Sequence, residues 1–153
     1  MVRTLDRRFI GWTWRAAGCD VDRDRLRAFA HAIGATDAVY LDVRAAQAAG
    51  HRDLLAPPTY VCCLEMRAGG APFVQLDDMG IPREAVLHGE QDVRFRSGVI
   101  CAGDRLVFTT RITDIRQTRD GAFDLIVRDT SVTNQMDAVV VDLRQVLLVR
   151  RAS

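Results

Sequence analysis

At 153 residues and 17.0 kDa the chain suits one domain, 1–153, and is too short for a two-domain cofactor enzyme or a barrel of about 250 residues. A composition of 48% hydrophobic and 27% charged residues, with mean hydropathy −0.02, is that of a folding chain rather than a disordered or membrane-embedded one. Twenty-one basic against 20 acidic residues leave a net charge of +1, which speaks against nucleic-acid and anionic-membrane partners; every basic residue is arginine, so lysine Schiff bases, P-loops and lysine general bases fall away.

Met1 to Arg8 leads into no apolar run of secretory length, and no later run reaches a membrane span, so a soluble, cytoplasmic protein is expected. Asp22 can cap a first helix whose apolar residues Leu26, Phe29, Ala30 and Ile33 recur at helical spacing, with Gly34 to end it. Asp42 can cap a second, shorter helix through Ala45, Ala46, Ala48 and Ala49, and its small face predicts close packing before Gly50 stops it. Pro57-Pro58-Thr59 opens a third helix, in which Tyr60, Val61, Cys62, Cys63, Leu64 and Met66 leave almost no polar side. Such a helix must be buried on most sides. Glu65 and Arg67 mark its solvated end, and Gly69-Gly70 terminates it. Cys19, Cys62, Cys63 and Cys101 lack metal or redox spacing and read as free core thiols.

Ala71 to Arg83, with two prolines and Gly80, predicts a loop or irregular turn. Beyond it the period changes to two. Gln91, Val93 and Phe95 alternate with Asp92, Arg94 and Arg96, and Leu106, Phe108, Thr110 and Ile112 alternate with Arg105, Thr109 and Arg111. Asp120-Gly121 is a hairpin signal before the run Phe123 to Thr133, and Asn134 to Asp137 supplies the turn before Val139 to Val149, apolar enough for a central strand. Helices followed by about four antiparallel strands give an α+β fold, a sheet curled around one buried helix.

No pair among His31, His51 and His88 has zinc-site spacing, and no glycine-rich nucleotide loop or nucleophile elbow occurs. His31 reads as a solvated side chain and His51 as a group near helix-end carbonyls. His88-Gly89-Glu90-Gln91 stands where the loop enters the first long strand, and an imidazole and a carboxylate two residues apart share a strand face. That pattern fits an acid–base pair, or equally a structural hydrogen bond at a strand end. Arg94, Arg96 and Arg105 are candidates for phosphate contacts, or simply solvated strand arginines.

Ala32-Ile33-Gly34, Asp37-Ala38-Val39-Tyr40, Ala49-Gly50-His51, Leu55-Ala56-Pro57-Pro58-Thr59-Tyr60, Val86-Leu87-His88-Gly89-Glu90-Gln91 and Ala102-Gly103-Asp104-Arg105-Leu106, in this order, resemble the MaoC-like dehydratases. The branch most resembled is the MaoC-like dehydratase N-terminal domain, which includes accessory subunits of heterodimeric (3R)-hydroxyacyl-ACP dehydratases; the match runs from about Gly11 to Arg150. The resemblance implies a hot-dog fold that pairs with a second one, and reversible hydration of trans-2-enoyl thioesters to (R)-3-hydroxyacyl thioesters. Coenzyme A or acyl carrier protein would carry the acyl group, with no metal and no redox cofactor. It also implies that Tyr40, Pro58, Thr59, Tyr60 and Gly89 bind substrate, a backbone amide at the start of the third helix polarising the thioester carbonyl.

The catalytic relatives carry Asp-x-Asn-x-x-His where this chain reads Ala35-Thr36-Asp37-Ala38-Val39-Tyr40, so the aspartate and histidine positions hold Ala35 and Tyr40. Three expectations follow: an accessory subunit beside a MaoC-like catalytic chain; a self-sufficient hydratase, homodimeric, using His88 and Glu90 with Asp37, Tyr40 and Asp42 in support; or an acyl-thioester binding module without turnover.

Overall fold

In the computed structural model, which describes residues 5–69, 73–96 and 98–151, six strands form one antiparallel sheet. They are β1 (Thr13–Arg15), β2 (Cys19–Asp20), β3 (Val86–Phe95), β4 (Arg105–Gln117), β5 (Phe123–Thr133) and β6 (Val139–Arg150). The order is β1-β4-β5-β6-β3, and β2 joins β4 beside β1. The helices are α1 (Arg23–Ala32), α2 (Val43–Ala48), α3 (Tyr60–Gly69) and α4 (Phe73–Asp78). Tyr60, Val61 and Leu64 of α3 pack on Leu106, Phe108, Val132 and Leu143 of the sheet, the hot-dog arrangement expected.

Local chemistry accounts for most boundaries. Asp22 caps α1 through Arg25 N at 2.9 Å, and Asp42 caps α2 through Ala45 N at 2.8 Å. Gly34 and Gly50 follow these helices at φ +68° and +90°, where a side chain would be strained. Two expectations along α1 and α2 need correction. Ile33 lies past the end of α1 and is 51% exposed, and of the α2 alanines only Ala46 is buried, because α2 covers the core with a single turn.

Three larger differences follow from contacts distant in sequence. The stretch read as a loop contains α4 and a 3-10 turn at Arg83–Ala85, because Leu76 drops into a second core cluster with Ile81, Ile126 and Leu147. Pro72 and Gly70 lie outside the described residues. Strands β1 and β2 are too short to show alternation and exist only as additions to β4. Glu65, expected at a wet helix end, is 5% exposed.

Glu65 is buried because its partner comes from β5. Arg128 Nη2 donates to Glu65 Oε1 at 2.9 Å, Thr130 Oγ1 donates to the same oxygen at 3.0 Å, and Arg128 Nη1 donates to Gln75 Oε1 on α4. Burial pulls the Arg128 guanidinium toward deprotonation and the Glu65 carboxylate opposes it. Thr110 and Thr130 meet across β4 and β5 at 2.8 Å. These groups form a polar seam between the cluster beneath α3 and the cluster beneath α4. Replacing Glu65 by Ala leaves Arg128 buried without a counter-charge and is expected to cost about 3–5 kcal/mol in urea unfolding, whereas Glu65→Leu with Arg128→Met is expected to recover most of that loss.

Candidate functional site

The chain before α3 is anchored from two directions. Leu55 N–H donates to Val39 O at 3.1 Å, holding the 3-10 turn Ala38–Tyr40 against the segment that leads into the helix. Ala56 N–H donates to Ile100 O at 2.8 Å and Ala102 N–H to Leu54 O at 2.9 Å. Asp104, 3% exposed, fixes that second strip: it accepts from Cys101 N at 2.9 Å, from Gln135 Nε2 at 3.0 Å, and from Arg52. The turn that carries half-buried Tyr40 is thereby tied to the segment that runs on to exposed Pro58 and Thr59 at the start of α3.

The amides there are not equivalent. Tyr60 N–H donates to Pro57 O at 2.9 Å and is already engaged, whereas among the described residues no acceptor meets the Thr59 N–H. Thr59 is therefore the amide available for a carbonyl at the positive end of α3. The Tyr60 ring is 4% exposed and stacks 5.0 Å from Phe29; burial raises its phenol above the ordinary tyrosine value. Its side chain belongs to the core. Asp37 and Asp42 hold turns rather than protons in transit, accepting from Val39 N and Ala45 N. Cys62 is half-buried on α3, its thiol pushed up by burial; Cys19 and Cys101 are buried, and all four cysteines are free.

The histidine–glutamate pair is not on one face. His88 stands opposite Leu147 and Glu90 opposite Val146, so Gly89 is an extra residue in β3, a bulge that reverses the alternation. Leu147 and Val146 project from opposite sides of β6, and their partners do likewise. His88 follows Leu147 toward the helix side, where its Nε2 meets Gln91 Oε1 at 3.4 Å; Gln145 Nε2 donates to that same oxygen at 3.2 Å. Glu90 faces outward. Two residues apart in sequence, the two groups cannot share a proton across Gly89. Sequence spacing missed this because the bulge depends on β6: a side chain at Gly89 would lie 2.4 Å from Leu148 Cδ1 and 3.0 Å from Val146 O.

The candidate phosphate-binding arginines are already partnered. Arg94 pairs with Asp92 at 2.9 Å, Arg96 with Asp142 at 2.5 Å and Arg105 with Asp20 at 2.8 Å. On the outer sheet face Arg144 grips Asp129 at 2.7 and 2.9 Å, which lowers the Asp129 carboxyl below the usual range. This face carries a shallow concavity of about 480 Å³ whose lining holds the pairs Arg94–Asp92, Arg96–Asp142 and Arg144–Asp129 together with Arg111. Among the described residues no three His, Cys, Asp or Glu gather as metal ligands, and no helix is long and apolar enough to cross a membrane.

Comparison with known proteins is consistent with this geometry. Residues 8–143 match the family described as "FAS1-like, dehydratase domain region". The chain belongs to this family. A UPF0336 protein of Streptomyces griseus is 38% identical over 113 residues, 73% of this chain and 74% of its own. Among solved structures, the HadBC (3R-hydroxyacyl-ACP dehydratase) complex of Mycobacterium tuberculosis superposes with a TM-score of 0.78 at 26% identity, covering 95% of this chain and 99% of that one. A MaoC-like dehydratase of Rhodospirillum rubrum gives 0.71 at 19% identity, covering 94% of each chain, and shares the fold.

Because Gly89 has no room for a Cβ, Gly89→Ala is expected to destabilise the FAS1-like dehydratase domain by about 1–3 kcal/mol in urea unfolding, the usual range for overpacking.

Proposed function

We propose that this chain is the accessory hot-dog subunit of a dehydratase that interconverts trans-2-enoyl and (R)-3-hydroxyacyl thioesters of coenzyme A or acyl carrier protein. The observation that carries the reading is the bulge at Gly89. It parts His88 from Glu90, the acid–base pair that the sequence offers in place of the Asp and His absent at Ala35 and Tyr40. Without such a pair in the chain, the water that adds at C3 and the proton delivered at C2 must be handled by groups from a second subunit. This chain then contributes the Thr59 amide, the Tyr40 side chain and the surface around Pro58 and Gly89 that shapes the acyl site. Hydration transfers no electrons, so the reaction calls for no redox cofactor.

A partner is favoured by β3 itself. Among the described residues it pairs only with β6, and its ten residues leave one edge of backbone groups open, flanked by Leu87 and Phe95 at 46% and 44% exposure. A long edge with exposed apolar side chains is a template for another strand. The HadBC neighbour, the more similar of the two solved structures compared above, is itself described as a complex.

The test is hydration of crotonyl-CoA by the purified chain, alone and mixed with a MaoC-like chain carrying the intact Asp and His, with the mass measured in parallel. The chain alone is expected to be inert, and the mixture to be more active than the catalytic chain by itself. Activity of the lone chain, abolished by His88→Ala, would overturn the accessory reading. Leu87→Glu with Phe95→Glu is expected to separate the two subunits and remove the gain in activity while leaving the fold intact by circular dichroism.

A further inference from the structure

The polar seam also forms the floor of a cavity of about 250 Å³ that lies between the C-terminal half of α3, β1 and α4, away from the Thr59 end of the helix. Its walls are largely apolar, built from Trp14, Ala68, Val74 and Phe108, with Arg15 also in the lining. Trp14 Nε1 donates to Asp78 Oδ2 at 3.0 Å, which ties β1 to α4 across the space. Gly69 lets α3 and β1 approach, since a side chain there would come within 2.9 Å of Ala16 Cβ. An engineered cavity of about 150 Å³ with apolar walls holds benzene, so this one has room for a chain of several carbons.

The floor is specific about hydrogen-bond direction. Thr130 has a single hydroxyl proton and gives it to Glu65 Oε1, so in the Thr110–Thr130 contact Thr110 is the donor and its own oxygen is left accepting. Glu65 Oε1 takes both Arg128 and Thr130. Among the described residues Glu65 Oε2 receives no donor and Gln75 Nε2 meets no acceptor, yet neither atom is sealed from space, and both residues line the cavity. Arg128 cancels the Glu65 charge, so the floor carries no net charge, and the exposed Arg15 of β1 is the other charged side chain in the lining. The free valences are an acceptor and a donor on two side chains that meet the same Arg128 guanidinium. A hydroxyl satisfies both, donating to Glu65 Oε2 and accepting from Gln75 Nε2, while its carbon chain lies against Trp14 and Phe108.

We propose that this cavity is a binding subsite for the hydroxyl-bearing end of a neutral, apolar chain, and that Glu65 and Gln75 select the hydroxyl. The inference rests on the acyl-thioester reading only for which chain arrives naturally. Its test uses no thioester, so its failure is separate from failure of the hydratase assay. Binding of 1-hexanol and of its methyl ether, 1-methoxyhexane, to the full chain is measured by ligand-observed NMR titration. A hydrogen bond to a charged group leads us to expect the ether, which lacks the proton, to bind about tenfold more weakly or worse. Ala68→Phe, which fills the cavity from its wall and leaves the seam intact, is expected to abolish binding of both. Absence of hexanol binding, equal binding of alcohol and ether to the wild-type chain, or hexanol binding unchanged in a folded Ala68→Phe variant would each overturn the proposal.

Discussion

A helix with apolar residues on most of its circumference cannot rest on a flat surface; it has to be enclosed, and α3 imposes that demand on everything around it. Tyr60, Val61 and Leu64 take up the inward-facing residues of β4, β5 and β6, and α1 closes the side that the sheet does not reach, through Leu26 and Phe29. Burying such side chains contributes about 1.5–3 kcal/mol each. The long strands can reach around α3 because they are interrupted: registers shift at Ile112/Asp114, at Val132/Thr133 and at His88/Glu90. Each bulge adds local bend and twist. The bulge that separates His88 from Glu90 is thus part of the same solution that wraps the helix.

The sheet is longer than α3 can cover, and the surplus explains the second core. Leu76 and Ile81 from the α4 region, with Leu5 and Phe9 from the N-terminal segment, cover Ile112, Ile126, Leu147 and Val149 beyond the end of the helix. Where the two coverings meet, neither supplies an apolar side chain, and Glu65, Gln75, Arg128, Thr110 and Thr130 fill the seam with one another's hydrogen bonds. A buried pair of this kind is weak as a source of stability but severe against any misplacement of α3 relative to β5, since a shift would strand a charge.

How much of this was legible depended on the range of the interaction. Capping by Asp22 and Asp42, the glycine stops after α1 and α2, the buried α3 and the alternation of β3 to β6 are local signals, and they could be read directly. The misread features were those decided by residues far away. Glu65 follows Arg67-like chemistry in sequence but lies four residues after Val61 and one after Leu64, on the enclosed side of the helix, and its partner is 63 residues distant. The available clue was on β5, where Arg128 occupies the same alternating face as Ile126 and Thr130. For the candidate site, the segments carrying Tyr40 and Thr59 were recognisable locally, whereas the parting of His88 and Glu90 was written in Leu148 and Val146 of another strand.

These constraints also divide the labour along α3. At its first turn the chain offers an unengaged Thr59 amide at the positive end of the helix dipole. At its last turns the same helix contributes Glu65 and Ala68 to a cleft with largely apolar walls and a polar floor. Between the two ends, Val61 and Leu64 are sealed into the core and can adapt little without loosening the sheet. Change is therefore cheapest at the ends. The two ends of α3 and the open β3 edge can vary with little consequence for the core that joins them.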